Sequence, residues 1–147
     1  AEVLELAYNV FVAADLHELS ADIADAGAGV LARSVLAHGL LAGHWSGERE
    51  FEPGDHRRAR WTPRELAARV KQLDALRPLV TGNVLTLRAA ALRFVLANDV
   101  VSSAVLGPRT VTQLDQLTRE AGAGPPYLTD TALAELASRL STMGVPT

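Results

Sequence analysis

Apolar positions in this chain fall into short continuous runs and longer stretches of helical period, and the two kinds alternate. Val3-Leu4-Glu5-Leu6-Ala7-Tyr8 is a run of strand type that starts almost at the first residue, and Asn9 ends it as a turn former. Glu5 is the one charge inside the run. It is either an outward residue of an alternating strand or one that points into the mouth of a barrel. Residues 17–26 follow as a helix, with Leu16, Leu19 and Ile23 spaced as one apolar face and Gly27 as its C-cap. Residues 29–32 give a second strand, apolar enough at Val30, Leu31 and Ala32 to be buried on both faces.

The pattern then breaks. Residues 46–60 are rich in Gly, Glu, Asp, Arg and His, with Pro53-Gly54 as a turn, and predict a long surface loop, long enough to act as a lid. Thr62-Pro63-Arg64-Glu65 is a strong helix start: an N-cap threonine, proline at the first helical position and glutamate three residues after the cap. Leu66, Val70, Leu73 and Leu76 form its buried stripe, and Pro78 stops it. Residues 85–96 make a nearly all-apolar helix, buried on more than one face. Residues 100–106 are a third strand, 111–120 a helix, and 122–126 a breaker cluster. Residues 130–140 are a last amphipathic helix, with Leu133, Leu136 and Leu140 on one side. Three strands alternating with about five helices predict an α/β fold with parallel strands and crossover helices. Residues 1–147 read as a single unit, within which 46–60 is the loop and 122–147 the terminal turn and helix.

Composition narrows the function classes. With 48% hydrophobic and 21% charged residues and a net charge of −3, the chain has the balance of a globular domain and no basic field for nucleic acid or an anionic membrane. The absence of cysteine excludes disulfides, thiolate chemistry and Cys-ligated metals, and no metal site is expected. A cytoplasmic setting is the default expectation.

Two stretches carry candidate chemistry. After the second strand, Arg33-Ser34 leads into Leu36-Ala37-His38-Gly39-Leu40-Leu41-Ala42-Gly43. Small residues at a strand's carboxyl end let backbone approach a ligand, and free N–H groups there hold phosphate. The plain alternative is an ordinary connection broken by Gly39 and Gly43. After the third strand, Gly107-Pro108-Arg109-Thr110 leads into a helix N-terminus, either a phosphate site or an ordinary turn with a solvated arginine. In the loop, His56, Arg57, Arg58 and Arg60 are candidates to meet an anion, set against plain solvated charges.

Taken in order, three blocks resemble the aldo-keto reductases: Leu4-Glu5-Leu6-Ala7-Tyr8-Asn9-Val10, then Val30 to Gly43, then Ala91 to Asn98 running on to Val101-Ser102-Ser103-Ala104-Val105-Leu106-Gly107-Pro108-Arg109-Thr110-Val111-Thr112-Gln113-Leu114. The resemblance implies the last three strand–helix units of a (β/α)8 barrel of TIM type, from an enzyme class that uses NADP(H) to interconvert carbonyls and alcohols. It assigns Ser34, Leu36, Gly39 and Leu40 to the cofactor pyrophosphate, and Gly107, Arg109, Thr110 and Gln113 to the adenosine 2′-phosphate. Arg33 falls where an aromatic usually packs on the nicotinamide, a place a guanidinium plane can take. Glu5 stands in place of a glutamine that bonds the carboxamide, and a carboxylate there only accepts. Val35 replaces a proline, and Gln116 and Leu117 replace the pair that contacts adenine.

The family's catalytic Asp, Tyr, Lys and His lie on earlier strands and have no counterpart here. Tyr8, His38 and Asp55 are therefore read as local strand, connection and loop residues, and no catalytic residue is assigned. Three strands cannot close a barrel, so Leu4, Leu6, Leu31 and Val105 are expected to form exposed apolar faces, at a cost of several kcal/mol for a few hundred Å2. The expected partner is an N-terminal half-barrel chain, a second copy of this chain or the remainder of a longer protein, with a small-molecule carbonyl substrate once the barrel is complete. Two functions compete. One is the cofactor-binding part of an NADP(H)-dependent oxidoreductase. The other is a self-associating part-barrel without redox role, as a binding module or a lyase- or isomerase-type biosynthetic protein.

Overall fold

In the computed structural model, which describes residues 2–147, strands β1 (Val3–Ala7), β2 (Gly29–Arg33) and β3 (Val101–Ala104) form one parallel sheet in the order β1-β2-β3. Each crossover is helical. Helix α1 (Ala14–Asp25) joins β1 to β2, while α2 (Pro63–Gln72) and α3 (Leu87–Leu96) lie between β2 and β3. Helices α4 (Val111–Ala121) and α5 (Asp130–Thr142) follow β3. This is an α/β arrangement of three strand–helix units, as the alternation predicts.

Register explains how one sheet face becomes core. Leu4 pairs with Val30 and Leu6 with Ala32, and Ala32 pairs in turn with Ala104. Val30 and Ala32 are fully buried, and Leu4, Leu6, Val101 and Ala104 pack beside them against the helices. The register slips between Val30 and Leu31, leaving Ser102 as the extra residue of a bulge. Its hydroxyl accepts from the Val30 N–H at 3.2 Å and so satisfies a donor that the bulge frees from the ladder.

The opposite face is bare, and it differs from the expectation. Leu4 and Leu6 are not on it, because period-2 alternation turns them toward the chain's own helices. It carries Val3, Glu5, Leu31, Arg33, Ser103 and Val105, of which Val3 is 55% and Val105 46% exposed. Half of these side chains are polar, and Glu5 and Arg33 face each other at 3.7 Å. The face is therefore less oily than the sequence implies.

Helix boundaries follow capping chemistry. Thr62 and Glu65 form a complete capping box at α2: the Thr62 hydroxyl accepts from the Glu65 N–H at 3.2 Å, and the Glu65 carboxylate accepts from the Thr62 N–H at 2.7 Å. Leu66, Leu73 and Leu76 are buried as expected, although α2 ends at Gln72 and 3-10 turns at Leu73–Ala75 and Arg77–Leu79 carry the chain past Pro78. Leu19 does not join the buried face of α1; it is 40% exposed, and Leu16 and Ile23 alone anchor that helix. Helix α3 is the central one, packing on β3, α4 and the turn at Ala37–Ala42. Residues 89–95 are buried throughout, including Arg93. Arg93 donates to the Asn83 side chain at 2.7 Å, to the Asn83 carbonyl at 3.0 Å and to the Glu120 carbonyl at 3.0 Å, and so ties α3 to the end of α4.

Candidate functional site

Beyond the carboxyl ends of β2 and β3 the chain leaves a cleft of about 510 Å3. In sheets of parallel strands this end is where ligands bind. One wall is the turn after β2, whose backbone is unusual. Ser34, Ala37 and His38 have φ of 56°, 45° and 60°, a left-handed conformation costly for side-chain-bearing residues. Gly39 continues the bend at φ 100°, and Gly43 at φ 80° packs so closely that a Cβ there would lie 2.7 Å from Leu87. The turn therefore needs glycine at position 43 to seat on α3. Leu40 and Leu41 are buried beneath it.

The facing wall is the segment after β3. Thr110 caps α4, its hydroxyl accepting from the Gln113 N–H at 3.2 Å, while the Gln113 side-chain oxygen accepts from the Arg109 N–H at 2.7 Å. These two bonds fix the Gly107–Thr110 turn to the helix start. Gly107 is different in kind from Gly43: its φ is ordinary and a Cβ would meet nothing within 4 Å. The folded chain itself gives no reason for a glycine there.

Of the residues the resemblance assigns, Ser34, Leu36, Gly39, Gly107, Arg109 and Gln113 line this one cleft. Leu40 lies under its floor, and Thr110 acts through the cap. Glu5 and Arg33 are outside it, paired on the bare sheet face. Leu117 is a buried apolar residue of the lining.

The cleft is rich in arginine and histidine. His38, His44, Arg49, His56, Arg57, Arg88 and Arg109 all border the cleft, and no aspartate or glutamate does. Arg57 is held by Asp55, whose carboxylate also accepts from the Arg57 N–H; those bonds hold the Asp55 carboxyl far below the usual carboxylate range. Arg88 is paired with Glu120, which raises its guanidinium further. Arg49 lies 5.0 Å over the Trp45 ring, and Arg57 lies 5.1 Å over that of Phe51. The loop thus folds back as an aromatic and cationic wall and is not merely solvated. The sequence signal was the spacing of Trp45, Phe51 and Trp61 through a charged stretch.

Tyr8 and Asp55 behave as local residues. The Tyr8 hydroxyl is buried, 2.9 Å from His17 Nε2, and accepts from the Asn98 amide at 3.0 Å. Burial raises its pKa, and the Asn98 bond offsets part of that rise.

Residues 2–125 match the family model described as Aldo/keto reductase family. This chain belongs to the aldo-keto reductase family. Among solved structures it is similar to a glycerol dehydrogenase from Gluconobacter oxydans, with TM-score 0.83 and 21% identity over 99% of this chain and 44% of that one. It is also similar to an aldo-keto reductase from Bacillus halodurans. Its holo form gives TM-score 0.66 and 20% identity over 94% of this chain and 41% of that one; its apo form gives 0.65 and 22% over 94% and 43%. The chain spans less than half the length of these relatives, and its three strands correspond to part of an aldo-keto reductase barrel. No curated protein matches it in sequence. Among the described residues no helix is long and apolar enough to cross a membrane.

Proposed function

We propose that this chain is the cofactor-binding part of an NADP(H)-dependent carbonyl/alcohol oxidoreductase. One observation carries the reading: two segments some 70 residues apart in sequence meet around a single cleft that is lined by cations and by no carboxylate. Donor chemistry and shape both suit a dinucleotide phosphate. Arg109 and Gln113, on a turn fixed by Thr110, hold the 2′-phosphate, and Gly107 leaves backbone open to it. Ser34, Leu36 and Gly39 hold the pyrophosphate, with Leu40 packing the floor. Glu5 accepts from the nicotinamide carboxamide, and Arg33 lies against the ring. NADP(H), when bound, supplies or accepts the hydride. This chain's residues bind and orient it, and none of them donates the substrate proton.

The same reading makes the chain inactive as a reductase until the tetrad-bearing units complete it, from the rest of a longer polypeptide, a separate chain or a second copy. The bare sheet face supports this, as do the exposed Val111 and Leu114 of α4 and Val3 on the edge strand β1. Size-exclusion chromatography with light scattering at micromolar concentration tests completion: self-association or capture of a half-barrel is expected, and a well-folded lone monomer that takes no half-barrel refutes it. NADPH titration of the cleft tests the cofactor assignment.

A further inference from the structure

The loop side of the cleft holds two imidazoles in contact. The His38 and His56 rings lie 5.8 Å apart, edge to face, and the His38 ring also meets Trp61 at 6.3 Å. His38 reaches this place through its left-handed backbone. His56 Nδ1 accepts from Arg60 Nε at 3.2 Å, so a neutral His56 carries its proton on Nε2, and a protonated one gives that bond up.

The charged groups that act on His38 are cations, and the carboxylates near them are each paired with an arginine: Glu5 with Arg33, Asp55 with Arg57 and Glu120 with Arg88. Arg57, Arg58 and Arg60 come from the same 3-10 turn at His56–Ala59 and its end, and Arg33 from the end of β2. Arg88 and Arg109 border the same cleft, as do His44 and Arg49. Burial, and then the field of Arg60, His56, Arg33 and Arg57, holds His38 below its ordinary pKa. An anion seated among these groups opposes the field that disfavours a proton on His38.

We infer that anion capture at this wall is proton-linked: a phosphate-type dianion seated beside His38, with His56 and Arg57 as neighbours, draws a proton onto the His38 imidazole, so affinity strengthens as pH falls. The inference rests on reading the cleft as an anion site, and it adds residues and a pH dependence that the cofactor assignment does not contain. The linkage has a definite sign. A site that takes up a proton on binding gains up to about tenfold in affinity per pH unit, between the pKa of His38 in the free chain and that in the occupied one.

Sulfate is the first probe, since it stays a dianion from pH 5.5 to 8 and introduces no titration of its own. NADH is the second, because its pyrophosphate does not titrate there and it lacks the 2′-phosphate. Binding is followed by tryptophan fluorescence at matched chloride ionic strength. Sulfate is expected to bind about three- to tenfold more tightly at pH 5.5 than at pH 7.5. The double variant His38→Asn/His56→Asn should lose most of that dependence while still binding through Arg57; asparagine tolerates the left-handed position at 38. In the unaltered chain, NMR titration of the His38 ring should show its pKa rising when sulfate saturates the site, a readout independent of the variant's folding. A matching slope for NADH identifies the dinucleotide as the occupant, and a slope for sulfate alone identifies free phosphate-type anions; both agree with the inference. Binding with flat pH dependence, or an unchanged His38 pKa, overturns it while leaving the cofactor reading intact. No binding of either probe at any pH overturns both.

Discussion

Gly43 and Gly107 are two glycines at one cleft, and the structure assigns them opposite reasons to be glycine. A valine at each separates folding from binding. At Gly43 the new Cβ would lie 2.7 Å from Leu87 Cδ1 and 2.9 Å from Leu87 Cβ, at φ 80°. The left-handed backbone costs a β-branched residue about 1–2 kcal/mol and the overpacking about 1–3 kcal/mol, so Gly43→Val should lose about 2–5 kcal/mol. For a domain of this size that is a fall in Tm of roughly 5–15 °C. At Gly107 the φ is ordinary and nothing lies within 4 Å. Gly107→Val should change stability by no more than about 0.5 kcal/mol, because it stiffens the unfolded chain and meets no folded neighbour. It does place a branched side chain on the wall that a phosphate must approach, so NADPH affinity should fall by at least about tenfold, or about 1.4 kcal/mol. Thermal unfolding by circular dichroism and NADPH titration on the same samples read both quantities. Equal loss of Tm in the two variants would refute the space assigned around Gly107. Undiminished NADPH affinity in folded Gly107→Val would refute the role of that wall.

Other expectations follow from the buried polar groups and caps. Arg93→Met strands three acceptors, the Asn83 side chain and the Asn83 and Glu120 carbonyls, and should cost about 2–4 kcal/mol in urea unfolding; a change below about 0.5 kcal/mol would show that those bonds contribute nothing. Thr62→Ala breaks the capping box of α2 and should cost about 1 kcal/mol by the same measurement, whereas a neutral effect would mean that the first turn is held by packing alone. Burial raises the Tyr8 pKa above the 10.0 of the unfolded chain, with Asn98 opposing, so the stability linked to its neutral form is complete below pH 10 and is lost as pH rises through and beyond it. The alkaline limb of the stability–pH curve should therefore flatten in Tyr8→Phe, and an unchanged limb would assign that limb to other groups. For His17, which burial lowers, the sign is reversed: its contribution is complete above pH 6.5 and is lost as pH falls through that value.

Much of this architecture is legible in the sequence, because alternation and caps are local. The three strands fall where short apolar runs meet turn residues, and Thr62-Pro63-Arg64-Glu65 starts α2 as its chemistry dictates. The apolar helix expected over residues 85–96 begins at Leu87, after the Thr86 cap, and leaves Leu85 75% exposed; residues 89–95 are buried as their composition requires, but Arg93 among them is invisible to periodicity. Its partners, Asn83 and Glu120, are brought to it only by packing. Leu4 and Leu6 lie on the covered face for a related reason: alternation tells which residues share a face, but not which face the chain's own helices cover. At the cleft, the segments after β2 and β3 are legible as glycine-bearing turns at strand ends, and their convergence on one cleft follows from adjacent parallel strands. The loop was harder. Its arginines look solvated in sequence because only packing brings Arg49 and Arg57 over the rings of Trp45 and Phe51. The His38–His56 contact depends on a left-handed backbone that no propensity suggests for histidine.

The central claim is that the cleft beyond β2 and β3 is an NADP(H) site, and Trp45, 5% exposed within its lining, reports on it directly. Titration of the chain with NADPH should quench tryptophan fluorescence saturably, and Arg109→Ala should shift the curve to concentrations at least about tenfold higher, as expected for a lost charge-assisted contact. No saturable change up to millimolar NADPH, or identical curves for Arg109→Ala and the unaltered chain, would contradict it.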